Sequence, residues 1–427
     1  MHCMWTRRRF GAALGGAVTW SAQPAATQFR VEITGVGATQ LPIAIAPFRG
    51  EGAANAATSA IVRADLERSG LFKSSSPTLQ LDERSALPQA EMRAAGADSL
   101  LAGSSVRLAD GSYDIRYRLW DVVRNREHLA RSIAVPAADL RLAAHRIADE
   151  VYEKLTGERG IFATRIAYVT KAARQFVLHV ADADGEGGRV ALTSLEPIIS
   201  PAWSPEGREL AYVSFETQRA VVWVQDLITG RRNMVANLPG TNSAPAWAPS
   251  GGQLAVTMSR DGPAQLYLVS REGGNPRRLT VSGAIDTEPV FTPDGRQIYF
   301  VSDRGGGPQI YRMGLDGSAP ERVTFQGSYN VSPCVSPDGK TLAYITRQGN
   351  AYRVAVQELP NGTVRTLSDT QHDESPSFAP NGRLLVYASR DGGRDVLMTT
   401  TLDGRIKTTL LSSGLDMREP AWGPFGR

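Results

Sequence analysis

The chain has 427 residues, 42% apolar and 21% charged, with 42 glycines and 25 prolines. That length exceeds one hydrophobic core, and that composition excludes a disordered polypeptide in favour of a turn-rich globular one. The formal charge of +4 resides largely in the first 26 residues, which hold Arg7, Arg8 and Arg9 and no acid, so the near-neutral remainder gives no electrostatic case for a nucleic-acid partner.

Residues 1–26 read as a signal peptide. Thr6-Arg7-Arg8-Arg9-Phe10 forms a basic start, Gly11 to Trp20 an apolar run, and Ser21 to Ala26 a small, polar cleavage zone. A permanent anchor needs roughly 20 apolar residues, and no stretch supplies them, so no membrane insertion is expected. An ordinary Sec leader and a twin-arginine signal both fit, and either places the product outside the cytoplasm. Cys3 leaves with the leader, so the only other cysteine, Cys334, has no partner for an internal disulfide.

Residues 27–158 read as a small α/β domain. Leu41-Pro-Ile-Ala-Ile-Ala predicts a buried strand, and Ala54 to Ser69 a helix stopped by Gly70. Leu100 to Val123 predicts a hairpin turning at Asp110-Gly111. In the next helix Leu140, Ala144, Ile147, Val151 and Leu155 share one face, and Gly157 ends it. A short linker then leads to residues 159–427.

That second part is repetitive. Trp203-Ser204-Pro205 recurs as Trp247-Ala248-Pro249, Phe291-Thr292-Pro293, Val335-Ser336-Pro337, Phe378-Ala379-Pro380 and Trp422-Gly423-Pro424, at steps of 44, 44, 44, 43 and 44 residues. Each proline is followed two positions on by a glycine, which is hairpin chemistry: proline presets φ and glycine accepts a positive one. Each unit continues with short runs of β-formers, such as Leu210-Ala-Tyr-Val and Val221-Val-Trp-Val. Four strands per unit of this length predict the blade of a β-propeller. The sixth unit ends at Arg427, but Ile166-Ala-Tyr-Val matches Leu210-Ala-Tyr-Val at a separation of 44. The expected fold is therefore an α/β N-terminal domain followed by an all-β six-bladed propeller closed by the C-terminal strand.

Catalytic signatures are missing. No Gly-x-Ser-x-Gly elbow or His-Glu-x-x-His motif occurs, and His2, His128, His145, His179 and His372 are scattered. Asp182-Ala-Asp184-Gly-Glu186-Gly187 imitates half an EF-hand loop, but its twelfth position is Thr193 where a bidentate Glu is required. No enzyme, no cofactor and no metal are expected. Binding should instead use the polar segments before each inner strand, which converge on the channel: Thr241-Asn242-Ser243, Asp286-Thr287-Glu288, Tyr329-Asn330, Asp373-Glu374 and Arg418-Glu419. Capping of strand ends is the alternative role for these residues. Residues 27–36 alternate apolar Phe29, Val31 and Ile33 with polar neighbours, so they suit either strand addition to a partner or an edge of the protein's own α/β sheet.

The leader, the α/β domain, the P-A-W-S-P-x-G repeats and the junction Glu153-Lys-Leu-Thr-Gly-Glu-Arg-Gly-Ile-Phe-Ala-Thr-Arg-Ile-Ala-Tyr-Val169 together resemble the TolB family of the Tol-Pal system. Cys334-Val335 in the fourth motif and the arginine-rich leader depart from the family pattern. The resemblance implies a monomeric, non-enzymatic periplasmic scaffold that supports outer-membrane integrity and envelope constriction at division. It implies binding of the lipoprotein Pal at Thr241, Asn242, Ala244, Asp286, Thr287, Glu288, Asn330, Glu374 and Arg418. It implies binding of TolA through Phe29, Val31 and Ile33, with other outer-membrane lipoproteins or porins as further candidate partners. The competing readings are a hydrolase using the propeller channel and a propeller that binds a small ligand.

Overall fold

The computed structural model describes residues 31–33, 40–50, 53–316, 318–411 and 415–426; the expected signal peptide and Phe29 lie outside them. The first strand, β1 (Val31–Ile33), is followed by β2 (Leu41–Ile45), β3 (Arg49–Gly50), α1 (Ala53–Arg68), β4 (Phe72–Ser75), α2 (Gln89–Ala94), β5 (Ser99–Arg107), β6 (Tyr113–Asp121), β7 (Arg126–Val135) and α3 (Leu140–Thr156). Their sheet runs β4-β2-β5-β6-β7, with β3 on β5; β2 is parallel to β4 and β5, β3 is parallel to β5, and β5-β6-β7 is an antiparallel meander. Strand alternation sends Ile43 and Ile45 to the layer under α1 and α3, and Ala44 and Ala46 to a second layer closed by Met92 of α2. The predicted hairpin thus gains β7 as a third strand. Gly157 ends α3 at φ 78°, its N–H donating to Glu153 O at 2.8 Å.

Six four-stranded blades follow. Blade 1 is Ile198–Trp203, Glu209–Ser214, Val221–Asp226 and Arg232–Ala236. Blades 2, 3, 4 and 5 begin at Asn242, Asp286, Asn330 and Glu374. Blade 6 combines Arg165–Ala172, Gln175–Asp182 and Arg189–Ser194 with the C-terminal strand Asp416–Trp422, which pairs Trp422 with Ile166 and Met417 with Thr170. The six inner strands contact one another in sequence, and the last touches the first, so the ring is closed.

The Trp-x-Pro-x-Gly motif stitches this ring. Trp247 Nε1 donates to Ala202 O of blade 1 at 3.1 Å, and Trp203 Nε1 to Ala421 O of blade 6 at 3.0 Å. In the turns, five of the six motif glycines lie against the proline of the preceding blade: a Cβ at Gly207, where φ is 69°, would come within 3.1 Å of Pro424 Cγ. The α/β domain occupies this face of the ring, where Arg383 pairs with Glu158 and Asn381 Nδ2 donates to Arg159 O at 3.3 Å. The domains are not merely tethered. One buried apolar cluster runs from Val62 and Ile147 through Ile161 and Phe162 to Tyr168, Val386 and Trp422.

β1 corrects an expectation. It does not join its own α/β sheet but pairs with the outer strand of blade 5 (Ile406–Leu411), with Val31 opposite Thr408 and Ile33 opposite Ile406, making that blade five-stranded. The α/β domain also meets this strand, where Gly70 lies against the Ile406 side chain.

Candidate binding surface at the open face of the ring

The inner strands start at the face away from the α/β domain. At each start the ladder slips, as between Thr287 and Val290 or Arg418 and Ala421, and one residue adopts a left-handed conformation. These are Ser200 (φ 54°), Ala244 (46°), Glu288 (51°), Ser332 (52°), Ser375 (51°) and Glu419 (55°). Each precedes a proline, from Pro201 to Pro420. Six non-glycine residues held with positive φ around one channel are a costly arrangement, and such strain concentrates at functional sites. The repeated X-Pro was legible in the sequence; its conformation was not.

Two of the six are acids on blades 3 and 6, which face each other across the channel. Glu288 Oε2 accepts the Ser332 N–H at 2.6 Å, and Glu419 Oε2 accepts the Ser200 N–H at 3.2 Å, so each ties its blade to the next. Burial raises the pKa of Glu288. Burial, then the charge of Glu374, raises that of Glu419 to about 7. An acid raised from its ordinary 4.5 takes up a proton on folding, so its contribution to stability falls as pH rises from about 4.5 through 7. Glu419→Gln keeps an oxygen acceptor for Ser200 and removes the charge. It is expected to flatten that part of the stability profile and to gain about 1 kcal/mol at pH 7.5, well short of the full shift because the side chain is only half-buried. Urea midpoints at pH 5 and 7.5 check this.

The nominated contact residues separate into two groups. Thr241 and Arg418 are exposed, and Ala244, Thr287, Glu288 and Glu374 are half-buried around the mouth. Asn242, Asp286 and Asn330 are not surface residues: each is at most 1% exposed. Asn242 Nδ2 donates to Leu238 O at 2.8 Å and Ala220 O at 3.1 Å. Asp286 takes both oxygens to Arg304 Nη2 at 2.8 and 3.0 Å, and Asn330 Nδ2 donates to Gln309 Oε1 and Gln326 O, each at 2.8 Å. Asp373 serves the same role in blade 5, accepting from Ser389 Oγ at 2.6 Å. These side chains hold the loops that enter the inner strands.

Sequence reasoning missed a cavity of about 260 Å³ between blades 4 and 5, lined by Tyr329, Ser332, Tyr352, His372 and Glu374. It also missed exposed apolar side chains on the entry loops: Leu195 (75% exposed), Val281 (82%), Ile285 (50%) and Phe325 (68%).

The remaining candidates sit in local contacts. His179 stacks on Tyr168 and meets Thr170 Oγ1 at 2.8 Å, and His128 faces Asp121 at 3.7 Å. Burial pushes the Cys334 thiol up to about 11, so little thiolate forms at neutral pH. Asp182 to Gly187 form a hairpin turn whose carboxylates engage Arg141. Among the described residues, one group brings three metal-ligand side chains together, Asp65, His145 and Asp184, and there Arg68 and Arg141 already supply the positive charge. No helix among the described residues is long and apolar enough to cross a membrane.

The sequence and the fold both have relatives. Residues 29–128 match the TolB amino-terminal domain, and residues 152–426 match the TolB beta propeller domain. The chain is 64% identical over 405 residues to the Tol-Pal system protein TolB of Polaromonas sp. strain JS666, covering 95% of each chain. The chain belongs to the TolB family. TolB of Polaromonas naphthalenivorans is 62% identical over 421 residues, 98% of each chain. The crystal structure of TolB from Acinetobacter baumannii superposes with a TM-score of 0.85 at 39% identity, covering 93% of this chain and 100% of that one. A TolB-family propeller is thus a component of the Tol-Pal system.

Proposed function

We propose that the protein is a non-catalytic periplasmic scaffold of the Tol-Pal system. It binds the lipoprotein Pal on the open face of the propeller and TolA through the segment around Val31 and Ile33, and so supports outer-membrane integrity and constriction at division. The observation that carries the reading is the open face itself: a closed ring whose mouth combines exposed apolar side chains with Thr241, Arg418 and the acids Glu288 and Glu374. Apolar anchors within a polar rim are what a protein partner needs. The strand Val31–Ile33 supports the second interface, because a three-residue pairing on a blade edge is weak enough to exchange for a partner's edge.

The test is calorimetric titration with purified Pal. Thr241→Arg with Arg418→Glu alters exposed side chains only, and is expected to weaken Pal binding by at least roughly tenfold, about 1.4 kcal/mol, with an unchanged thermal midpoint. Deleting residues 27–36 should abolish TolA capture and spare Pal. Unchanged Pal affinity in the double variant places the interface elsewhere.

A further inference from the structure

The junction between the domains holds a buried ion cluster that the scaffold reading does not use. Asp65 and Arg68 reach it from α1, Arg141 and His145 from α3, and Asp182 and Asp184 from the hairpin of blade 6. His145 is fully buried. Its Nδ1 lies 2.6 Å from Asp65 Oδ2, and Arg68 Nη1 holds the other oxygen of that carboxylate at 2.9 Å. Its Nε2 faces Asp182 Oδ2 at 3.7 Å and Asp184 Oδ2 at 3.8 Å, with no direct hydrogen-bond partner. Arg141 bridges the same two carboxylates, its Nε 2.9 Å from Asp182 Oδ2. One turn further along α3, Asp149 accepts the N–H groups of Phe162 at 2.7 Å and Ala163 at 3.1 Å in the connecting segment.

We infer that this cluster is the lock that seats the α/β domain on the propeller, and that it works only with His145 as a doubly protonated imidazolium. The charges require it. With a neutral imidazole, the carboxylates Asp65, Asp182 and Asp184, and Asp149 beside them, face only two guanidiniums around a ring that is itself fully buried. With the imidazolium, the three carboxylates that touch it are balanced by three cations, two of them from α3 of the α/β domain and two of the acids from the propeller. A neutral ring would leave a lone pair pointing at a carboxylate in either tautomer, on Nε2 toward Asp182 and Asp184 or on Nδ1 toward Asp65, a repulsion that a buried ring screens poorly. Breaking such a cluster by removing one member is costlier than its net contribution, because the partners stay buried and uncompensated.

Titration supports the same state. Burial alone would lower the His145 pKa, but the facing charge of Asp65, reinforced by Asp182 and Asp184, raises it to about 10. The lock is therefore complete below the ordinary imidazole value of about 6.5, and its contribution is lost as pH rises through about 10. Because the cluster joins a helix that contacts the linker to a hairpin of the closing blade, it also fixes the angle between the two domains. That goes beyond binding at either proposed interface and can be tested without a partner.

Two measurements on the full chain decide it. In the wild type at pH 7.5, long-range ¹⁵N–¹H spectra should show both ring nitrogens of His145 protonated; a neutral tautomer overturns the inference. In His145→Gln, which keeps a donor to Asp65 and deletes the charge, scanning calorimetry should resolve the single transition into two. Cleavage of the connecting segment 157–164 by a dilute protease should rise roughly tenfold. One transition at the wild-type midpoint, with unchanged cleavage, overturns the locking role. If His145→Gln does not accumulate folded, Asp182→Asn with Asp184→Asn is read by the same two assays and judged by the same outcomes.

Discussion

Removal of residues 416–427 is expected to open the ring and unfold the protein at ordinary temperatures. The strand Asp416–Trp422 is the inner strand of blade 6, and without it Arg165–Ala172 becomes a bare edge facing the channel. The loss is larger than one strand's ladder. Trp422 and Met417 are 7% and 2% exposed, and burying two such side chains contributes about 4–6 kcal/mol. Trp422 Nε1 also donates to Thr164 Oγ1 at 2.9 Å and its N–H to Ser377 Oγ at 2.9 Å, joining the linker and blade 5. Glu419 to Ser200 and Trp203 to Ala421 close the ring on the other side. A stability of about 5–15 kcal/mol does not survive that sum. Chemical denaturation should show a truncated chain either insoluble or unfolding with a lower midpoint and a shallower slope. A truncated chain that keeps the full-length midpoint and slope would mean that closure contributes nothing.

The propeller was legible because every blade needs the same turn chemistry and five of the six motifs carry a tryptophan or phenylalanine before it, so a steric requirement became a printed period. The α/β domain was legible where helix faces and glycine stops were strong, as in α3, and faint at α2 and β7, whose burial patterns have no clear period. The partner of β1 was not legible: three alternating residues specify a strand but not whose edge they join. The buried lock was invisible for another reason. Asp65 and His145 are 80 positions apart, and only the packing of α1 on α3 brings them within 2.6 Å. The burial of Asn242, Asp286 and Asn330 was not legible, because Asn and Asp before a strand look the same in sequence whether they cap a loop or face outward. The distinguishing hint was regularity. Asn242, Asp286, Asn330 and Asp373 keep the repeat's own spacing, as loop anchors must, and the equivalent Ile198 and Met417 show that two blades anchor with apolar side chains instead.

Asp286→Ala follows from that distinction and is expected to destabilise the protein by about 3 kcal/mol. Asp286 is fully buried, and its partner Arg304, 23% exposed, also donates to Ser302 Oγ at 2.8 Å and lies over the rings of Phe300 and Tyr311. Removing the carboxylate strands a guanidinium that is packed too tightly to reach water fully, and it frees Ser282, whose Oγ donates to Asp286 Oδ2 at 3.2 Å. A broken buried pair typically costs about 3–5 kcal/mol, and the partial exposure of Arg304 places this one at the lower end. Asp286→Asn retains one acceptor for Arg304 and should cost about half as much. Both values are read as midpoint changes at constant slope in urea. Affinity for Pal should then fall only as far as the entry loop of blade 3 loosens, and 1 M salt should leave the stability loss largely intact because the pair is screened little by solvent. If instead Asp286→Ala left the midpoint unchanged and abolished Pal binding, the carboxylate would be meeting the partner directly, and the blade 3 loop would have to open on binding to expose it.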